Sequence, residues 1–143
     1  MVPLFIIFAG KKYLVFWYRN EELSRNWRIG LSNNGWTINE LGVQWAAHFN
    51  QHTLSRTKGT KRLLILDGHE SHHSMDFEEY CKDNGIVTLC MPPHSSHKLQ
   101  PLDVVPFSVL KRAYSVYIEG LIRRHQTHIA KEDFLIGFFE VSK

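Results

Sequence analysis

The stretch LLILDGHESHHSMDFEEYCKDNGIVTLCM, residues 63–91, decides the fold. It opens on the apolar run Leu63–Leu66, stopped by Asp67-Gly68, and closes on Ile86–Met91, stopped by Pro92-Pro93. Short continuous apolar runs of this kind predict strands buried on both faces, as in a parallel or mixed sheet. Between them Ser74 stands where a helix N-cap is wanted, with Asp76 and Glu78 in the first turn beyond it. Gly85 suits the position just past that helix's end. The stretch is 29 residues long, close to the ~30 of a βαβ unit. The predicted class is therefore α/β.

Upstream, Val2–Ala9 (VPLFIIFA) is apolar almost without a break. It is far shorter than the ~20 residues of a membrane helix. Its positive charge, Lys11-Lys12, follows the run, whereas a signal peptide carries charge before it. A buried strand remains, and a chain opening so abruptly is expected to be the later part of a larger domain. Strand-like residues continue through Tyr13–Tyr18, and a polar stretch runs on to Asn34, with a turn at Asn33-Asn34-Gly35. Thr37, with Glu40 three residues on, reads as a capping box opening a helix. Leu41, Trp45, His48 and Phe49 form that helix's apolar face, so His48 and His52 read as helix-face residues. Ser55–Arg62 (SRTKGTKR) carries four basic residues and no acid. It predicts a solvated loop, with phosphate contact through Arg56, Lys58, Lys61 and Arg62 as the alternative.

Downstream, a loop at His94–Gln100 leads to Asp103 and a long amphipathic pattern, Phe107, Leu110, Tyr114, Tyr117, Ile118 and Leu121. Pro106 is tolerable only in a first turn, which places the helix start near Asp103. The outer face carries Lys111, Arg112, Arg123 and Arg124. A last short helix is predicted over 131–141, burying Phe134, Leu135, Phe138 and Phe139.

Composition excludes several classes. The 143 residues are 22% charged and 43% hydrophobic, with net charge +3. That suits one domain and is neither an acidic tail, a disordered activation segment nor a highly basic coat. Two cysteines, Cys81 and Cys90, are too few for a disulfide scaffold. They read as buried apolar residues in a reducing compartment. Gly-x-Ser-x-Gly, P-loop and Gly-x-Gly-x-x-Gly signatures are all missing from the sequence.

Two carboxylates draw attention. Asp67 ends a predicted strand, where functional groups of open α/β sheets gather. Asp103 begins the long helix, and the intervening helix and strand can return the chain to the same sheet edge. Facing carboxylates repel unless a divalent cation lies between them. Hard oxygens select Mg²⁺ or Mn²⁺, and with a third acid the pair would form a two-metal phosphoryl-transfer site. The structural alternatives are a turn (Asp67-Gly68) and a helix cap (Asp103). Five histidines, His69, His72, His73, His94 and His97, lie in two loops. The twofold His-x-x-His spacing is compatible with zinc, but no cysteine is spaced to join it. Ordering of two active-site loops is the alternative. Ser95 and Ser96 suit backbone hydrogen bonding better than a nucleophilic role.

Leu63–His72 (LLILDGHESH) with Pro93–Lys111 (PHSSHKLQPLDVVPFSVLK) closely resembles the catalytic core of pogo/Tigger-type transposases, DDE superfamily endonucleases of the mariner class. Gly35-Trp36-Thr37, Glu40-Leu41-Gly42 and the opening PLFIIFAGK are also similar to the family. The resemblance covers nearly the whole chain, residues 1–143 forming part of a catalytic domain. It implies an RNase H-like mixed sheet with flanking helices and metal-dependent cleavage and transfer of DNA strands. By motif, Asp67 would be the second catalytic acid and Asp103 the third, both ligating Mg²⁺ or Mn²⁺. His69, His72, His94 and His97 match loops that shape the site. DNA would be the partner, and the charge pattern supplies Arg56, Lys58, Lys61, Arg62, Lys111 and Arg112 as candidate contacts. A homo-oligomer is compatible, a nuclear location is implied, and neither a membrane nor a small-molecule substrate is.

The chain departs from the family pattern. No Asp precedes Asp67; the earlier acids are Glu21, Glu22 and Glu40, none in a matching motif. The amino-terminal helix-turn-helix is missing, and Val105 stands where many relatives have Gly. The expectation is a truncated domain lacking its first strands, with an exposed sheet edge. The alternatives are an inactive transposon-derived remnant binding DNA or protein through Arg56–Arg62 and the Lys111–Arg124 face, and a zinc-stabilised module.

Overall fold

Leu63–Leu66 and Ile86–Met91 do become neighbouring parallel strands. The computed structural model describes residues 2–14, 17, 26–67, 70–92, 106–126 and 128–141. Strand β1 is Phe5–Ala9, β2 Arg28–Ser32, helix α1 Asn39–Thr53, β3 Arg62–Leu66, α2 Met75–Asp83, β4 Ile86–Cys90, α3 Pro106–Arg123 and α4 Lys131–Val141. Pairing is parallel for β1 with β2 and for β3 with β4, the latter running from Arg62 opposite Ile86 to Leu66 opposite Cys90. The class is mixed α/β, and the described strands close no barrel. Two compact units form, one from residues 1–13 and 26–95, the other from 14–25 and 96–143.

In the first unit β3, α2 and β4 make the expected βαβ. Ser74 is the N-cap of α2, its Oγ accepting from Phe77 N–H at 3.4 Å. Gly85 follows the helix at φ 65°, a left-handed conformation that glycine adopts without strain. A Cβ there would come within 2.9 Å of the Thr60 carbonyl oxygen. The core joins Ala46 of α1 to Leu64, Leu66, Phe77, Cys81 and Ile86, with Val43, Trp45 and Phe49 packed against it.

The expectation of two buried faces fails for β3 and β4. Leu64 and Leu66 are buried, but Leu63, Ile65, Val87 and Leu89 are 45–61% exposed. Helices α1 and α2 pack on each other and share the core with the alternate residues, so among the described residues one sheet face is covered. An apolar run carries no alternation to reveal which face will be open.

Three further expectations are corrected. Helix α1 begins at Asn39, with Ile38 as an extended N-cap that makes no side-chain capping bond, so Thr37 lies outside the helix and the capping box does not form. Glu40 remains in the first turn, where its charge complements the helix dipole. Tyr13 and Leu14 lie outside any strand and are about half exposed. Trp17 instead turns in a short 3₁₀ segment, its N–H donating to Leu14 O at 3.0 Å, and is almost wholly buried. Residues 15, 16 and 18 lie outside the described set. Finally, the polar stretch before Asn34 contains β2. Gly30 in its middle lets α1 come close, since a Cβ there would stand 2.8 Å from a Leu41 methyl.

Helix α1 runs antiparallel to the strands it covers. Near its start, Leu41 meets Gly30, and Gly42 lies against the carbonyl of Ser71 just beyond the end of β3. In its middle, buried His48 donates from Nε2 to the Pro3 carbonyl before β1, at 2.9 Å. At its end, Asn50 and Thr53 bond to Arg62 at the start of β3. This direction governs which loops share the edge of the unit where β3 ends.

In the second unit α3 begins at Pro106, a first-turn position that needs no N–H partner. Residues 103–105 lie outside the described set. Tyr114 meets Phe134 edge-on at 5.5 Å, and a Cβ on Gly137 would overlap the Tyr117 ring. Leu121 and Leu135 are buried, while Phe107 of the expected apolar face is 38% exposed. Phe134, Phe138 and Phe139 are half-buried.

Candidate active site

Asp67 directly follows β3, and its parallel neighbour β4 ends in Cys90. Met91 N–H donates to Leu66 O at 2.8 Å, which ties the two strand ends together. Beyond Asp67 a single 3₁₀ turn, Glu70–His72, bends the chain back. It delivers His72 Nε2 to 3.5 Å from Asp67 Oδ1, with the histidine more buried than the carboxylate. The turn is seated deeply. Ser71 is 2% exposed, and a Cβ on Gly42 would come within 2.6 Å of its carbonyl oxygen. The His72 ring lies over Phe77 at 5.7 Å. The sheet, α1 and α2 thus each contribute to where Asp67 and His72 sit.

The next histidine faces the other strand. His73 Nε2 is 3.3 Å from Cys90 Sγ, and its Nδ1 is 3.7 Å from Glu78 Oε1 on α2. Cys90 is exposed, not buried as its apolar neighbours predict; it is the last residue of β4, and burial along that strand falls off from Ile86 toward this end. Cys81 is buried as expected. Although the residue is exposed, partial desolvation of its sulfur pushes the Cys90 thiol up from its ordinary value, and the carboxylates of Glu78 and Asp67 push it further. A raised pKa means less thiolate at any given pH, hence slower alkylation. Glu78→Gln removes one of those negative charges. It is expected to move the pH midpoint of iodoacetamide labelling at Cys90 downward; an unmoved midpoint would remove Glu78 from the account.

Asp103, His69, His94 and His97 lie outside the described residues. Among the described residues no group of three or more His, Cys, Asp or Glu side chains could hold a metal ion. Asp67 nonetheless offers the right donor for a hard cation, a carboxylate 37% exposed at a strand end.

The basic candidates fall elsewhere. Arg56, Lys58 and Lys61 are exposed between α1 and β3. They stand beside the start of β3, roughly 15 Å from Asp67 at about 3.3 Å per strand residue. Arg62 differs from them, because its guanidinium is turned inward. It donates to Thr53 Oγ1 at 2.8 Å, Asn50 Oδ1 at 2.7 Å and the Asn84 carbonyl at 2.7 Å. Its reading as a phosphate contact is corrected: it joins α1, β3 and the end of α2. Lys111 and Arg112 are exposed on α3 in the second unit.

A profile of the DDE superfamily endonucleases matches residues 1–138. The chain belongs to that family. The chain is also 56% identical over 134 residues to a Cochliobolus lunatus protein named MFS-type transporter clz9. The alignment takes in 94% of this chain and 14% of that protein, so the chain spans a small part of the relative's length. Among the described residues of the DDE chain, no helix is long and apolar enough to cross a membrane. No solved structure matches it.

Proposed function

We propose that the chain is the part of a DNA-cutting and strand-joining endonuclease that carries the second and third metal-binding acids, Asp67 and Asp103. The observation that carries this reading is Asp67 itself, a partly exposed carboxylate directly after β3 in a parallel βαβ unit of a DDE family chain. In this reading Asp67 and Asp103 hold Mg²⁺ or Mn²⁺. Bound ions would supply the charge that activates a water or 3′-hydroxyl and steadies the leaving oxygen. His72, 3.5 Å from Asp67 and against the Phe77 ring, is the group that positions the carboxylate in this reading. Arg56, Lys58, Lys61, Lys111 and Arg112 are the phosphate contacts. Cutting chromosomal DNA would place the protein in the nucleus.

The test is nicking of supercoiled plasmid in Mn²⁺ by the wild-type chain, Asp67→Ala and Asp103→Ala. A metal ion is worth several kcal/mol to such a reaction. Loss of either ligand is therefore expected to slow nicking by about 10²–10³-fold. Nicking that persists in Asp67→Ala would overturn the proposal.

A second reading is a DNA-binding domain that does not cut. It is favoured by the exposed Arg56, Lys58 and Lys61, which lie at the end of β3 away from Asp67. It predicts folded protein without nicking, whose DNA affinity falls steeply with salt and is unchanged by Asp67→Ala.

A further inference from the structure

The edge of the first unit that carries Asp67 also carries an exposed indole. Trp36 is 70% exposed, and its backbone is tied into the turn that precedes it. Asn34 Oδ1 accepts from Trp36 N–H at 3.1 Å and from Ser32 Oγ at 3.4 Å. Gly35 stands at φ 81°, where its Cβ position lies 3.3 Å from Ala9 N, so the turn is clamped on the end of β1. Gly10 N–H donates to Ser32 O at 2.8 Å, joining the two loops from the other side. Immediately after Gly10 come Lys11 and Lys12, both exposed.

The placement is set by α1. Trp36 precedes that helix, whose first turns lie against Gly30 and against Ser71, just beyond Asp67. Its last turn is bonded to Arg62 at the opposite end of β3. The loops after β1 and β2 therefore share an edge with Asp67. None of residues 2–14 and 26–38 is acidic; the carboxylate nearest to Trp36 along the chain is Glu40, in the first turn of α1, and Glu21 and Glu22 lie between the two stretches.

We infer that Trp36 is a stacking platform for an unpaired nucleotide of the DNA, with Lys11 and Lys12 as its phosphate contacts. The inference rests on the DNA reading above and names what lies at the Asp67 edge: a base out of the duplex, not paired DNA. An exposed aromatic face on a hydrogen-bonded turn, next to a loop that carries two cations, suits a base with its phosphate, because every base has a π-face and every nucleotide a negative charge. A purely apolar protein partner would gain nothing from the two lysines. The cations at the start of β3 are too far away to serve this edge.

The test measures equilibrium binding of the full chain to a fluorescent 20-nucleotide single strand and to its duplex, with Ca²⁺ in place of Mg²⁺. Stacking on one aromatic ring corresponds to about a five- to hundredfold change in affinity. Trp36→Ala is expected to weaken single-strand binding by that factor while leaving duplex binding within twofold. Trp36→Phe should restore most of it. Lys11→Ala with Lys12→Ala should weaken single-strand binding and lower its salt slope by roughly 1.4, at about 0.7 per phosphate contact. Equal affinity of wild type and Trp36→Ala for the single strand, in a chain that binds DNA, overturns the inference and leaves the DNA reading standing. So does a Trp36→Ala change confined to oligomeric state, which would assign the indole to a protein contact. Wild-type protein that binds neither DNA removes both.

Discussion

Phe77→Ala is expected to destabilise the first unit by about 3–5 kcal/mol, the range for emptying a fully buried aromatic site. Phe77 is 0% exposed and packs among Ala46, Leu64, Leu66, Cys81 and Ile86, so every element of the βαβ unit and α1 borders the cavity it would leave. Native domains have about 5–15 kcal/mol in total, and a loss of this size removes a large fraction. In urea the midpoint should fall with an unchanged slope, and Phe77→Leu should recover more than half of the loss. The same ring supports His72, which stands beside Asp67, so DNA nicking should fall in Phe77→Ala even at temperatures where the chain stays folded. A midpoint within experimental scatter of wild type would mean that the core is not centred on this residue.

Arg62 should behave as a structural residue and not as a DNA contact. Its guanidinium donates to Thr53, Asn50 and the Asn84 carbonyl, spanning the end of α1, the start of β3 and the end of α2. Hydrogen bonds from a charged group are worth about 1.5–3 kcal/mol each, and truncation leaves half-buried acceptors unpaired. Arg62→Met is expected to cost about 2–4 kcal/mol on that basis. Arg62→Lys should recover little, since one ammonium cannot reproduce a planar fork that reaches acceptors on three residues. Folded Arg62→Lys should bind DNA like wild type, whereas Lys58→Ala with Lys61→Ala should bind more weakly and with a smaller salt slope. Retained stability together with lost DNA affinity in Arg62→Lys would reverse this assignment and return Arg62 to the phosphate contacts.

Residues 63–91 could be read as βαβ because every signal within them is local. Apolar runs make strands, Ser74 supplies its own cap, and Gly85 adopts a backbone angle that other residues resist. The helices α3 and α4 were legible for the same reason, through their periodicity and the first-turn Pro106. Strand β2 was not, since RIGLS is short, half polar and interrupted by Gly30, whose purpose is to admit Leu41 from a helix later in the chain. Asp67 could be singled out from its position after a strand. Its partner His72 could be named only as one of several loop histidines, because a seated 3₁₀ turn decides which ring reaches the carboxylate.

The α/β class, the parallel βαβ unit, the family and the place of Asp67 after a strand are written in the residues themselves, because each depends on neighbours a few positions apart or on motif. Tertiary structure alone decided which sheet face lies open, that Arg62 points inward, that Cys90 is exposed beside His73, and that Trp36 shares the Asp67 edge. Those outcomes depend on where α1 and α2 pack, through contacts between residues tens of positions apart. The local pattern of polar and apolar residues does not encode such contacts.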